Sequence, residues 1–285
     1  MQLARVRTDA GIIAVARIAD GNLVALADTV AADQNDLVSI LNTVPRAQLD
    51  ERVRQAEAAG DVVAHEDDAH FELPVQDPQK LIGISLNYAA HAAEGNLEVP
   101  TEPVVFFLPP SSLVPHNHPV ALPPQSKRVD YEVELAIVIG RSARNVTAEQ
   151  WRDYVAGFTI VNDITARDLQ IEAMDRNHPW DLTKAFDTFS PCGPYLATAD
   201  AIDDPSNLSL SLSIGDRVLQ DSSTKHMVFG VGRLIELLSS VMTLEPGDII
   251  ATGTPSGIGP VEHGETMAAA VQGIGVLRNQ ALRAS

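Results

Sequence analysis

From Leu81 onward the apolar segments of this 285-residue chain are short and are separated by Pro, Gly or Asp. They run Val104 to Phe107, Glu132 to Ile139, Phe158 to Asn162, Tyr195 to Thr198, Leu208 to Ile214 and Asp248 to Thr252. Runs of this length between turn residues read as strands. A doubly wound sheet or a TIM barrel needs strands alternating strictly with helices, so the pattern points to a β-rich α+β protein instead. Few helices are expected here. One opens at Thr147 with Gln150 three residues on, a capping-box spacing. Another covers Lys225 to Met242, where Met227, Val231, Leu234, Ile235, Leu238 and Met242 recur at helical spacing.

Upstream, Leu3 to Val6, Ile12 to Ile18 and Leu23 to Leu26 read as a small meander, with Asp20-Gly21 marking a tight hairpin. Two helical stretches follow, the second from Ala47 to Ala59 with Gly60 as its stop. The acidic segment His65 to His70 then leads to Pro74 and Pro78. The joint is placed there, between a small N-terminal β-containing domain, 1–73, and a larger β-rich domain, 78–285.

Charge narrows the partners. Against 38 Asp and Glu stand 20 Lys and Arg, a formal net charge of -18. Such a surface repels phosphate backbones, and Lys80, Lys127, Lys184 and Lys225 are scattered rather than gathered in a stripe, so nucleic acid is set aside. One cysteine, Cys192, allows neither an internal disulfide nor a Cys-rich zinc site, which fits a reducing, cytoplasmic setting. No apolar run reaches the length of a membrane span, and Met1 to Val15 lacks the apolar core of a leader, so a soluble, unexported protein is expected.

Three motifs carry chemistry. In Asp130-Tyr131-Glu132-Val133-Glu134 the strand period puts three carboxylates on one face, while the following Ala-Ile-Val-Ile takes the strand into the core. Such a row is tolerated by water at an exposed edge or by a cation inside the protein. Hard oxygen ligands would favour Mg²⁺ or Mn²⁺ over zinc. In Phe158 to Gln170 an apolar strand ends at Asp163 and passes into a helix-like stretch, so Asp163 either caps that helix or meets Glu132 and Glu134. In Asn87 to Gly95, His91 and Glu94 lie three apart on a helical turn, either a general-base dyad or a surface pair.

In order along the chain, these motifs are joined by Lys184-Ala185-Phe186-Asp187-Thr188, Gln220-Asp221-Ser222-Ser223-Thr224 and Leu244 to Gly257. The set resembles the fumarylacetoacetate hydrolase family over about residues 81 to 280. The resemblance implies a mixed β-sandwich roll, a homodimer, and Mg²⁺ or Mn²⁺ held by Glu132, Glu134 and Asp163. It also implies His91 and Glu94 on a lid helix, Lys184 beside the metal, and Gln170, Thr254, Arg167 and Tyr88 at a small 2-oxoacid substrate. The short Asn-Tyr-x-x-His-x-x-Glu form is similar to the smaller branch of the family, which includes acylpyruvases, diketo acid hydrolases, decarboxylases and dienoate isomerases.

Retention of both His91 and Glu94 favours activation of water, and so hydrolytic cleavage of a 2,4-diketo acid to pyruvate and a second acid. Isomerisation or tautomerisation, decarboxylation, and a non-catalytic binding protein clamped by its metal are the alternatives. The far end of the substrate is expected to meet the loop Glu172 to Asp181, with Arg176, His178 and Trp180 as candidates, and possible help from the N-terminal domain. Other features are discounted. His116-Asn117-His118 reads as a surface loop, the glycines around Thr252 to Gly259 lack the Lys-Ser/Thr of a phosphate loop, Ser256 lacks a nucleophile elbow, and Cys192 reads as packing.

Overall fold

Alternate residues of one seven-residue strand, Val133–Ile139, enter two different cores. Val133, Leu135, Ile137 and Ile139 pack on one face, and Ala136 and Val138 on the other, so both faces of the strand are covered. The computed structural model describes residues 1–26 and 36–283. The N-terminal part contains β1 (Gln2–Thr8), β2 (Gly11–Arg17), β3 (Asn22–Ala25), α1 (Leu37–Thr43), α2 (Arg46–Ala59), β4 (Ala64–His65) and β5 (His70–Glu72). The middle contains β6 (Leu81–Ser85), α3 (Ala89–Glu94), β7 (Val104–Leu108), β8 (Leu113–Val114), β9 (Val120–Leu122), β10 (Val129–Tyr131) and β11 (Val133–Ile139). Then come β12 (Val155–Asn162), β13 (Thr165–Ala166), α4 (Arg167–Asp175), β14 (Ser190–Thr198), β15 (Ser209–Ile214) and β16 (Arg217–Ser223). The last elements are α5 (Val231–Val241), β17 (Ile249–Ala251), β18 (Gly259–Pro260), β19 (Thr266–Val271) and β20 (Gly275–Arg283).

The protein is strand-rich, with mixed sheets and few helices. The largest sheet runs β4-β3-β2-β1-β14-β12-β11-β17-β6-β7, with β5 and β8 off this path. Its β17–β6 pair is parallel, and β1 joins β14 through Gln2↔Ala197 and Leu3↔Leu196. A five-stranded sheet, β16-β15-β19-β20-β9, packs on the face that carries Leu135 and Phe158. Helices α1 and α2 send Leu37, Ile40, Leu49 and Ala56 into the core on the other face. No helix among the described residues is long and apolar enough to cross a membrane.

The expected meander, the helix ending at Gly60 and the Asn87–Gly95 turn are all present. Gly60 ends α2 at φ 67, where a residue without a Cβ is least strained. Two expectations are corrected. The segment capped by Thr147 and Gln150 is a 3-10 helix, Ala148–Asp153, rather than an α-helix. The expected Lys225–Met242 helix begins only at Val231, because Val228 and Phe229 donate their N–H groups to the backbone and side-chain oxygens of Asn87. Those hydrogen bonds divert the chain before the helix can start.

Candidate active site

β11 and β12 lie side by side, with Val133 opposite Asn162. That register brings Glu132 and Glu134, at the start of one strand, to Asp163, just past the end of the other. One oxygen from each of the three buried carboxylates lies within 4.8 Å of the others. Asp130, on the same strand face by pattern, is not part of this group: it pairs with Arg128 at 2.9 Å and with Arg167 at 2.9 Å.

Lys184 lies within the group and spends all three ammonium protons there, donating to Glu132 Oε2 at 2.9 Å, Asp163 Oδ2 at 2.6 Å and Thr165 Oγ1 at 2.7 Å. Arg167 bridges Asp130, Glu132 and the amide oxygen of Gln170. Glu134 accepts from the Gly253 N–H at 2.7 Å. Gly253 adopts φ +94, and a Cβ there would come within 2.8 Å of Asn87 and 2.9 Å of the Ile84 carbonyl, so this approach requires glycine.

The ionisations follow from these contacts. Burial alone raises the Glu132 carboxyl, but Lys184, Arg167 and His91 outweigh it and hold the group low. Glu134 has only one backbone donor and is pushed well above the usual carboxylate range by burial and then by Asp163 and Glu132. Asp163 is raised too, by burial first, and its Oδ1 is buried without a partner. A buried acceptor of this kind is costly unless something fills its coordination. Three hard oxygen donors, an excess of negative charge and an orphaned oxygen fit a divalent cation.

The cavity above the carboxylates has a volume of about 520 Å³ and is lined by His91, Glu94, Arg128, Arg167, Gln170, Lys184 and Thr254, among others. His91 and Glu94, on α3, meet at 3.3 Å between Nδ1 and Oε2. A carboxylate can only accept here, so Nδ1 carries the proton, and in the neutral imidazole the lone pair is on Nε2. The second oxygen of Glu94 accepts from the Gly257 N–H at 3.0 Å. Asn87 fixes the base of α3 by donating to the carbonyls of Thr252 at 2.7 Å and Phe229 at 3.0 Å.

The cavity thus gathers His91, Glu94, Glu132, Glu134, Asp163, Arg167, Gln170, Lys184 and Thr254. Tyr88 stands apart: it is 1% exposed, belongs to the core and does not line the cavity. Burial, with the charge of Glu134, pushes its phenol well above its ordinary value. Trp180 lines the cavity, but Arg176 and His178 do not, and no described residue before Ile84 does. The stretch expected to loop from Glu172 remains helical to Asp175, so Arg167, Gln170, Ile171 and Met174 share one face of α4. Ile171 and Met174 were missed by the sequence reading, although their i+4 and i+7 spacing from Arg167 was visible. Of the two histidines expected in a surface loop, His118 is exposed and His116 is partly covered. His116 packs edge-on against Phe71 and accepts the Arg278 N–H, and burial lowers its imidazole to about 4. Cys192 is buried in β14, with its thiol pushed up to about 12.

Residues 80–281 match the family described as fumarylacetoacetate (FAA) hydrolase C-terminal, and the chain belongs to this family. It is 43% identical over 217 residues to a mitochondrial oxaloacetate tautomerase from Rattus norvegicus, an overlap of 74% of this chain and 68% of that one. Over the full length of both chains it is 33% identical, with a TM-score of 0.78, to the crystal structure of 5-carboxymethyl-2-hydroxymuconate delta-isomerase from Mycobacterium smegmatis. It is 31% identical, with a TM-score of 0.79 and full coverage of both chains, to maleylpyruvate hydrolase from Sphingobium sp. SYK-6, which was solved with manganese(II) and pyruvate.

Proposed function

We propose that this protein is a divalent-metal-dependent hydrolase that cleaves a carbon-carbon bond of an acylpyruvate or related 2,4-diketo acid, releasing pyruvate and a carboxylic acid. The observation that carries the reading is a fixed His91–Glu94 pair lining the same cavity as three buried carboxylates. Glu132, Glu134 and Asp163 would hold Mg²⁺ or Mn²⁺, which supplies Lewis acidity toward the oxygens of a 2-oxoacid.

The side chains divide the remaining work. His91 Nε2 takes a proton from water as the oxygen adds to the distal carbonyl, while Glu94 holds Nδ1–H and favours the imidazolium that forms. The bond between the distal carbonyl carbon and C3 then breaks, and its electron pair leaves with the three-carbon fragment as an enolate. Protonation at C3 gives pyruvate. The Lys184 ammonium adds fixed positive charge beside the carboxylates, and Gln170 and Thr254, which line the cavity, would contact the 2-oxoacid end of the substrate. Arg167 acts chiefly by holding Glu132 and Gln170 in place.

A second reading is favoured by the rat relative. With oxaloacetate, the same His91 would move a proton between C3 and the enol oxygen without cleaving a carbon-carbon bond. A product assay separates the two. Metal-loaded protein is given acetylpyruvate, a 2,4-diketo-3-deoxy sugar acid and oxaloacetate, with an EDTA control. Pyruvate plus a second acid, lost on adding EDTA, supports the hydrolase. Faster loss of enol absorbance with no cleavage supports the tautomerase, and pyruvate plus CO₂ overturns both.

A further inference from the structure

The cavity changes character from floor to mouth. Glu132, Glu134, Asp163, Lys184 and Thr254 at its floor are buried, whereas Leu97, Val104, Ile171 and Met174 on its walls are 40% to 50% exposed. Large apolar side chains left open to water around one cavity mark a surface that a ligand covers. Phe106 and Trp180 add to this wall, with ring centroids 4.8 Å apart. The Phe106 ring lies across Gly83, where a Cβ would approach it to 2.0 Å, and the Lys184 ammonium sits 5.3 Å from the ring centroid. The apolar wall therefore reaches down to the charged floor.

Each of the cations lining this cavity is already ion-paired with a carboxylate of the chain. Lys184 is saturated by Glu132, Asp163 and Thr165, and Arg167 is held by Asp130, Glu132 and Gln170. Arg128, the third, makes two hydrogen bonds to Asp130, at 2.9 Å and 3.0 Å. Glu94, Asp130, Glu132, Glu134 and Asp163 face Arg128, Arg167 and Lys184, so a bound dication only balances the side-chain charges around the cavity. One substrate carboxylate would be accommodated at that dication's open positions. A second would lie against apolar side chains without a partner, which is costly. The volume of about 520 Å³ is also in the range of roughly 300–1,000 Å³ that encloses drug-sized ligands, so a four-carbon diacid underfills it.

We infer that the preferred substrate is a monocarboxylate, with its 2-oxoacid end at the floor and an uncharged apolar acyl chain longer than acetyl against Leu97, Ile171, Met174 and Trp180. Ile171 and Met174 set this preference. The inference rests on the 2-oxoacid reading given above, and it is tested by binding rather than turnover.

Protein loaded with Mg²⁺ is titrated by calorimetry with pyruvate, 2-oxohexanoate, 2-oxooctanoate and 2-oxoadipate, with Trp180 fluorescence followed in parallel and a Trp180→Phe control. Affinity rises with chain length, by up to about fourfold per methylene, the factor that corresponds to roughly 0.8 kcal/mol of buried CH₂. The chain also quenches or shifts the Trp180 signal. 2-Oxoadipate binds about tenfold more weakly than 2-oxohexanoate, in line with an unpaired carboxylate on an apolar wall. Ile171→Lys and Met174→Lys, on the cavity-facing side of α4, reverse that order. Equal or tighter binding of 2-oxoadipate to the unaltered protein, or no gain with chain length while pyruvate still binds, overturns this inference and leaves the hydrolase reading standing. If pyruvate itself does not bind, both fall.

Discussion

Two ionic networks in this molecule use similar groups and settle in opposite ways. Near the N-terminal strands, Glu66 accepts from Arg17 at 2.8 Å and 2.7 Å and from the Tyr195 hydroxyl at 2.7 Å. One anion meets one cation, and the Arg17 hydrogen bonds, with help from Tyr195, lower the Glu66 carboxyl to about 2. On the floor of the cavity Glu132 is held low in the same way, but Glu134 is pushed upward because burial and two neighbouring carboxylates exceed what Lys184 supplies. The first network is complete within the chain. The second carries negative charge that the chain itself does not neutralise, and that surplus separates a binding site from a structural ion pair.

The largest expected effect comes from removing a member of the incomplete network. Asp163→Ala loses metal binding and turnover together, with affinity for Mg²⁺ falling by more than about 100-fold in a calorimetric titration, a ligand being worth more than the outer-shell partners that cost 10–100-fold. Lys184→Met leaves the carboxylates without their cation and destabilises the metal-free protein by about 3–5 kcal/mol in urea unfolding, part of which Mg²⁺ restores. His91→Ala keeps metal affinity, and its kcat for the water-dependent reaction falls by about 10²–10⁴. If His91→Ala also lost the metal, the division between ligands and base drawn here would be wrong.

The smallest effect belongs to the balanced network. Glu66→Gln costs about 1 kcal/mol relative to the unaltered protein at neutral pH, a gap that Mg²⁺ leaves unchanged. The folded carboxyl lies below its ordinary 4.5, so its contribution is present above that pH and is lost as pH falls from 4.5 toward 2. Urea unfolding at pH 7, 4 and 3 shows the gap between Glu66→Gln and the unaltered protein closing with acid. If Mg²⁺ narrowed the gap between Glu66→Gln and the unaltered protein as much as it narrows that of Lys184→Met, the distinction between the two networks would be erased.

Much of the floor was legible because its residues sit at places the chain marks locally. Strand alternation put Glu132 and Glu134 on one face, a strand end marked Asp163, and a turn closed by Gly95 carried His91 and Glu94. What the sequence hid depends on where distant segments meet. That Lys184 lies 5.3 Å from the centre of the Phe106 ring, or that Trp180 faces Phe106, follows from the turn Asp181–Thr183 packing against β7 and not from any spacing along the chain. The start of α5 was misread for the same reason. Met227 has the right period, but Asn87, some 140 positions away, claims the backbone of Val228 and Phe229. Tyr88 was placed at the substrate by the family resemblance, yet the strand-to-helix turn sends its ring into the core.

The pairing of β1 with β14 has a consequence for how much of the chain the site needs. β14 is hydrogen-bonded to β12, the strand that leads to Asp163, and on its other side Gln2 and Leu3 cover Ala197 and Leu196, while the Met1 carbonyl accepts from the Thr198 N–H. A chain shortened to the matched residues 80–281 would keep every cavity residue named above and yet bare this edge. Open strand edges are templates for association with another copy. The N-terminal meander therefore works as edge protection, and aggregation, before any loss of chemistry, would be the first sign of its removal.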